Sequence, residues 1–180
     1  MASGRYPDNS PGGSSNPLPS GRVTLASAAS SITISGLNGD TDGDYELVGS
    51  LILPAATVNN LLVLKPNGDA GNATSLALIG VSGSSTGNQA VTLIVGIPNT
   101  SGLQVIIDFI IRFTSKSGDG PHLYTSQSSY LDAVSRTNWS CTGQYTSTST
   151  PITSLVISSN QAGSMASGSF VRWRALGFTA

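Results

Sequence analysis

From Ser31 to Ala180 the chain is a succession of short apolar segments, each closed by Ser, Thr, Gly, Asn or Pro. The clearest is Ser31–Ser35, where Ile32 and Ile34 alternate with Ser31, Thr33 and Ser35. Alternation with period two places the apolar side chains on one face of an extended chain. No apolar period near 3.6 is sustained, so helices cannot supply the framework.

Further strands are expected at Tyr45–Leu53, ended by Pro54, and at Leu61–Lys65, closed by the turn Pro66-Asn67-Gly68. Others are expected at Ser75–Val81, Gln89–Ile97, Gln104–Thr114, His122–Tyr130, Asn138–Tyr145, Thr153–Ser158 and Gly168–Leu176. The run 104–114 (QVIIDFIIRFT) is the most apolar. Its continuity predicts a central strand buried on both faces, partly in a sheet–sheet core and partly in a contact between subunits. About ten short strands with turns between them predict an antiparallel β-sandwich, jelly-roll-like in its winding. An immunoglobulin-like sandwich is the alternative, weakened because Cys141 is the single cysteine and no paired bridge can form.

The first 22 residues contrast with all of this. They hold four of the nine prolines and no apolar pattern. Residues 1–22 are read as a flexible Gly/Ser/Pro-rich arm, and 23–180 as the β-sandwich domain. Arg5, Tyr6, Leu18 and Arg22 are the side chains able to anchor such an arm to a partner. At the other end, Arg172 and Arg174 flank Trp173, so the two arginines share one strand face, and all three are candidates for a partner contact.

Only 9% of residues are charged and the net charge is −1, while 30 Ser and 17 Thr keep the surface polar. No basic stripe is present, which argues against direct nucleic-acid binding. The longest apolar run is too short, and too interrupted by Asp108 and Arg112, to cross a membrane as a helix. A surface with so little charge repulsion favours association with like or unlike neighbours.

Candidate chemistry is sparse. Asn38, Asp40 and Asp42 with Gly43 resemble the opening of a calcium loop, but Gly49 stands where the bidentate Glu belongs. The segment reads instead as a turn in which Asp and Asn bond nearby backbone. Asp108, in the most apolar strand, needs a partner if buried, and Arg112 or Arg136 could supply one. His122 stands alone and reads as the first residue of a strand; Cys141 reads as a small buried hydrophobe. Tyr124, Tyr130, Trp139, Tyr145 and Trp173 are core candidates that could otherwise form a sugar-stacking face. No cofactor, metal or catalytic residue is predicted.

The order of these segments carries a resemblance. ITISGLNG from Ile32 leads into DGDYELVG; LKPNG stands at 64–68, FIIRFTSKSG at 109–118, ITSLVISSNQAGSMASGS at 152–169, and a short Arg/Trp strand follows. This pattern, over about residues 31–176, resembles small jelly-roll virion proteins of tailed bacteriophages, found as head decoration or cement proteins, head fibres and tail tips. The resemblance implies a non-enzymatic structural role, the major capsid protein of the same virion as partner, and a homotrimer. It places the protein in the virion, assembled in the host cytoplasm. A fibre or tail-tip module that binds host surface glycan is the alternative it leaves open.

Overall fold

The computed structural model describes residues 18–55, 62–69, 73–79, 87–90, 93–96, 104–118, 120–131, 136–147, 150–159 and 165–177. In chain order the elements are β1 (Ser20–Thr24), β2 (Ser31–Ser35), α1 (Gly39–Asp42), β3 (Asp44–Leu53), β4 (Leu62–Pro66), β5 (Ala73–Ile79) and β6 (Gly87–Ala90). They continue with β7 (Leu93–Gly96), β8 (Val105–Phe113), β9 (His122–Leu131), β10 (Arg136–Tyr145), β11 (Ser154–Ser159) and β12 (Phe170–Gly177). The protein is thus all-β, with a single helical turn among the described residues.

The strands form two antiparallel sheets. One has eight strands in the order β1-β12-β3-β8-β9-β10-β5-β6, the other four in the order β2-β11-β4-β7. Every connection except β5–β6, β8–β9 and β9–β10 passes from one sheet to the other. Such winding forces each strand to bury one face against the opposite layer, which is why period two recurs along the sequence. Ile32 and Ile34 of β2, Leu62 and Leu64 of β4, and Leu155 and Ile157 of β11 join Leu47, Leu51, Ile107 and Ile111 of the larger sheet in one core.

β8 lies inside the larger sheet, between β3 and β9. Val105, Ile107, Phe109, Ile111 and Phe113 point inward and are buried, each burial stabilising the fold by roughly 1.5–3 kcal/mol. The alternate residues face outward. Ile106 is 52% exposed, Asp108 and Arg112 are exposed, and Ile110 is half-buried. Burial on both faces, expected from the continuous run, is therefore not achieved within the described chain.

Glycines on the inner face make room for aromatic rings across the strand pair. Gly49 pairs with Phe109, Gly21 with Trp173 and Gly143 with Tyr124. A Cβ on Gly49 would stand 2.6 Å from Phe109 Cζ, and one on Gly21 2.6 Å from Trp173 Nε1. The rings lie across bare backbone, and a larger residue at either glycine would displace them.

β1 begins at Ser20, so the last residues of the segment read as an arm are strand. It pairs with β12, and the ladder continues one residue before it, where the Ala175 N–H donates to the Pro19 carbonyl (2.8 Å). The turn after β4 is held by Asn67 in the left-handed region (φ 51°), followed by Gly68 (φ 75°). Asn67 also fastens this turn to the segment before β11. Its Oδ1 accepts from Thr153 N–H (2.8 Å) and Ser154 N–H (3.2 Å), and its Nδ2 donates to the Pro151 carbonyl (3.0 Å).

Candidate functional site

The outer face of the eight-stranded sheet carries the side chains that the core does not use. Register lines them up in rows across the strands. One row runs Ser20, Arg174, Glu46, Arg112, Thr125; the next runs Arg22, Arg172, Val48, Ile110, Gln127. A third runs Thr24, Phe170, Ser50, Asp108, Ser129.

Glu46 anchors the first row. Arg112 Nε donates to its Oε2 (3.1 Å), and Arg174 donates to its Oε1 from Nε (2.9 Å) and Nη2 (2.5 Å). The two guanidinium groups cover the carboxylate, which is 6% exposed while they remain largely in solvent. Burial alone would raise the Glu46 pKa; hydrogen bonds and charge from Arg174 and Arg112 outweigh it and hold the carboxylate below its usual range. Because both arginines are solvated, each ion pair stabilises the fold by only about 0.2–1 kcal/mol. The arrangement's main effect is to fix the two arginines in position.

Arg112 therefore serves Glu46, not Asp108 as the sequence suggested. Residues four apart on one strand are roughly 13 Å apart, too far to pair, whereas Glu46 lies directly across from Arg112. Asp108 is exposed. The Arg136 side chain lies outside the described residues.

The second cluster is built on Phe170. Arg22 Cζ stands 4.4 Å from its ring centroid and Arg172 Cζ 5.7 Å. Arg22 Nε also donates to Thr24 Oγ1 (3.1 Å). Two depressions flank these groups. One, about 690 Å³, is lined by Arg22, Arg172, Arg174, Glu46, Ser20 and Val48. The other, about 630 Å³, spreads over β3, β8, β9 and β10 and includes Val48, Ile110, Asp108, Gln127, Asn138 and Phe170. Val48 lines both, so the two are neighbours on one face.

Of the predicted partner residues, Arg22, Arg172 and Arg174 come together here. Leu18 precedes β1 and is 49% exposed, beside Gly177. Trp173 lies on the opposite face, half-buried, edge-on to Tyr45 with ring centroids 6.2 Å apart. Arg5 and Tyr6 lie outside the described residues. The remaining aromatics do not form a sugar-stacking face: Tyr124, Tyr130 and Tyr145 are buried in the core, and Trp139 is partly buried against it, all with the parity of inward residues. Glu46 and Phe170 were not singled out in the sequence. Phe170's phase against Trp173 was readable, but Glu46 acquires its role only through partners 66 and 128 residues away.

The acidic loop has its own employment. Asp42 Oδ2 accepts from Asn38 N–H (2.9 Å) and the Tyr45 hydroxyl (2.6 Å), while Asp40 Oδ1 accepts from Ser117 N–H (2.8 Å). The Asp40 pKa is lowered chiefly by that backbone bond. Among the described residues no three His, Cys, Asp or Glu side chains converge as a metal site. His122 opens β9, as expected, and is buried between the rings of Phe113 (5.7 Å) and Tyr145 (6.0 Å). Cys141 is buried, and that burial pushes its thiol pKa up against a smaller opposing effect from Ser126. Among the described residues no helix is long and apolar enough to cross a membrane.

No known family's sequence model matches the chain, and no curated protein matches it in sequence.

Proposed function

We propose that this chain is a non-enzymatic structural protein of a phage virion, a decoration or cement protein that binds the mature head shell. Contact runs through the N-terminal segment and the adjoining outer face of the eight-stranded sheet. The partner is the major capsid protein, the assembled form is a homotrimer, and attachment follows synthesis in the host cytoplasm.

One observation carries this reading. The large hydrophobic side chains that the described residues leave exposed are Leu18, Val48, Ile106, Leu123 and Leu176. All stand on the outer face of the larger sheet or at its β1 and β12 margin, where residues 1–17 join the domain. Concentrating exposed apolar surface on one face is what a protein-binding surface requires. The winding gives further support. The strands β1-β12-β3-β8 of the larger sheet interleave along the chain with β2-β11-β4-β7 of the smaller, which we read as a jelly roll whose larger sheet is extended beyond β8 by β9, β10, β5 and β6.

The test is co-sedimentation of the purified protein with expanded capsids of the phage that encodes it. The expected result is saturable binding at a fixed ratio to the shell protein, reduced at least tenfold by Ile106→Asp, which still melts cooperatively. A well-folded protein that leaves the capsids bare would overturn the proposal.

A further inference from the structure

The Arg22–Arg172 pair is costly as it stands. The two residues are direct cross-strand partners on the same face, where like charges repel. Among the described residues neither meets a carboxylate; the nearby acid, Glu46, is engaged by Arg112 and Arg174. Three of the eight basic residues of the chain, Arg22, Arg172 and Arg174, line the depression beside the pair, against the one acid Glu46. The local balance is positive by two in a protein whose net charge is −1.

The pair is also held in place. Both guanidinium groups rest on the Phe170 ring, and Arg22 Nε is further tied to Thr24. Groups restrained in this way lose less freedom when a ligand arrives. Guanidinium groups have planar donor arrays that match a carboxylate. Beside them lies the depression of about 690 Å³, with Val48 as an apolar patch and Ser20 as a hydroxyl partner. That size suits one or two sugar rings, and the combination of cation, hydroxyl and apolar patch suits a ring that carries a carboxylate.

We infer that this depression is a binding site for an acidic sugar, a uronic or sialic acid, whose carboxylate is taken by Arg22 and Arg172. Of the aromatic residues that the sequence offered for sugar stacking, Trp173 is one of the residues lining this depression. The site shares the β1–β12 side of the outer face with the proposed shell contact, so sugar and shell would compete for it, and the test uses the free protein.

Calorimetric titration of the whole protein with N-acetylneuraminic acid and with a glucuronate oligosaccharide tests it. A neutral glucose oligosaccharide and sodium sulfate serve as comparisons. One of the two acidic ligands is expected to bind at least tenfold more tightly than either comparison. Arg22→Gln with Arg172→Gln should weaken that binding at least tenfold. Lys65→Gln, which removes one positive charge from the other sheet, should change it less than twofold. Thermal melts establish that each variant is folded. If both acidic sugars fail to bind, if the neutral sugar binds equally, or if the arginine variants bind normally, the assignment is overturned. Sulfate binding as tightly as the acidic sugars would reduce the site to a simple oxyanion site and overturn the sugar assignment.

Discussion

His122 shows how a single buried residue sets a condition on the fold. Its imidazole is stacked between Phe113 and Tyr145, and its Nε2 has no hydrogen-bond partner among the described residues. Burial lowers its pKa below 6.5, against smaller opposing effects from the Thr114 and Ser147 backbone and from Asp40. A histidine whose folded pKa is depressed binds protons more readily when unfolded. Stability is therefore full above pH 6.5 and declines as the pH falls from there toward the folded value. Glu46 acts in the same direction at lower pH, since its depressed pKa means that stability present above the ordinary glutamate value is lost as the carboxylate protonates. Melts of the native protein between pH 7.5 and 5, run beside His122→Phe, separate the two. The phenylalanine variant keeps the stacked ring and is expected to flatten the decline in the upper part of that range. An unchanged slope in the variant would mean that His122 does not titrate there. Asn67 sets a different condition, one of backbone shape. Replacing it with Gly keeps the left-handed turn accessible but removes the bonds to Pro151, Thr153 and Ser154. A loss of about 1–3 kcal/mol is expected. Asn67→Ala adds strain at positive φ and should cost about 1 kcal/mol more, measurable by urea unfolding.

At the level of elements, β1 joins the N-terminal segment to the sheet. It covers one side of β12, and its inward Val23 packs against the core. Removing residues 1–17 should leave the melting midpoint within a few degrees of the native value. Removing 1–24 takes the strand away, uncovers Trp173 and exposes the β12 edge, which invites aggregation. A fall of roughly 10 °C or more, with a rise in light scattering, is expected for the longer deletion alone. Equal melts for the two deletions would show that β1 contributes nothing to the domain. The same strand shows where sequence reading runs short. Pro17 and Pro19 and the Gly/Ser content made residues up to 22 look like an arm, because β1 itself has only Val23 as an apolar inward residue. Its strand state comes from its partner, β12, some 150 residues later, and local composition carries no trace of that. Elements with their own alternation, such as β2 and β12, were legible because period two records a buried face wherever one exists. The single helical turn α1 was not, since four residues are too few to express a period.

At the level of the molecule, the central question is what covers the outer half of β8. A chain with Val48 beside Ile110, and Ile106 roughly 13 Å along the same outward face, shows the same continuous apolar run in sequence whether that face meets solvent, a second copy or a shell. Sequence alone reports the apolar content of a strand and not the identity of its neighbour, so the second face, expected to meet another subunit, is not decided by one chain. The inner half is settled by the fold: Ile107 and Ile111 are fully buried between the sheets. Ile107→Asp should leave a charge uncompensated in the core and prevent folding, seen as loss of the cooperative melt. Ile106→Asp introduces the same charge on the outer face. If the protein is a homotrimer joined through this face, light scattering after size exclusion should find the native chain at three times its 18.3 kDa mass and the Ile106→Asp variant at the monomer mass, both with cooperative melts. A native chain that is already monomeric, or a variant that stays trimeric, would move the trimer contact away from β8 and leave its outer face to another partner. Contacts between copies that bury this face would also change how the arginine depression is reached, because Val48 stands at the boundary between the two. A trimer that binds acidic sugar as well as the Ile106→Asp monomer would show that the trimer contact and the depression are used separately.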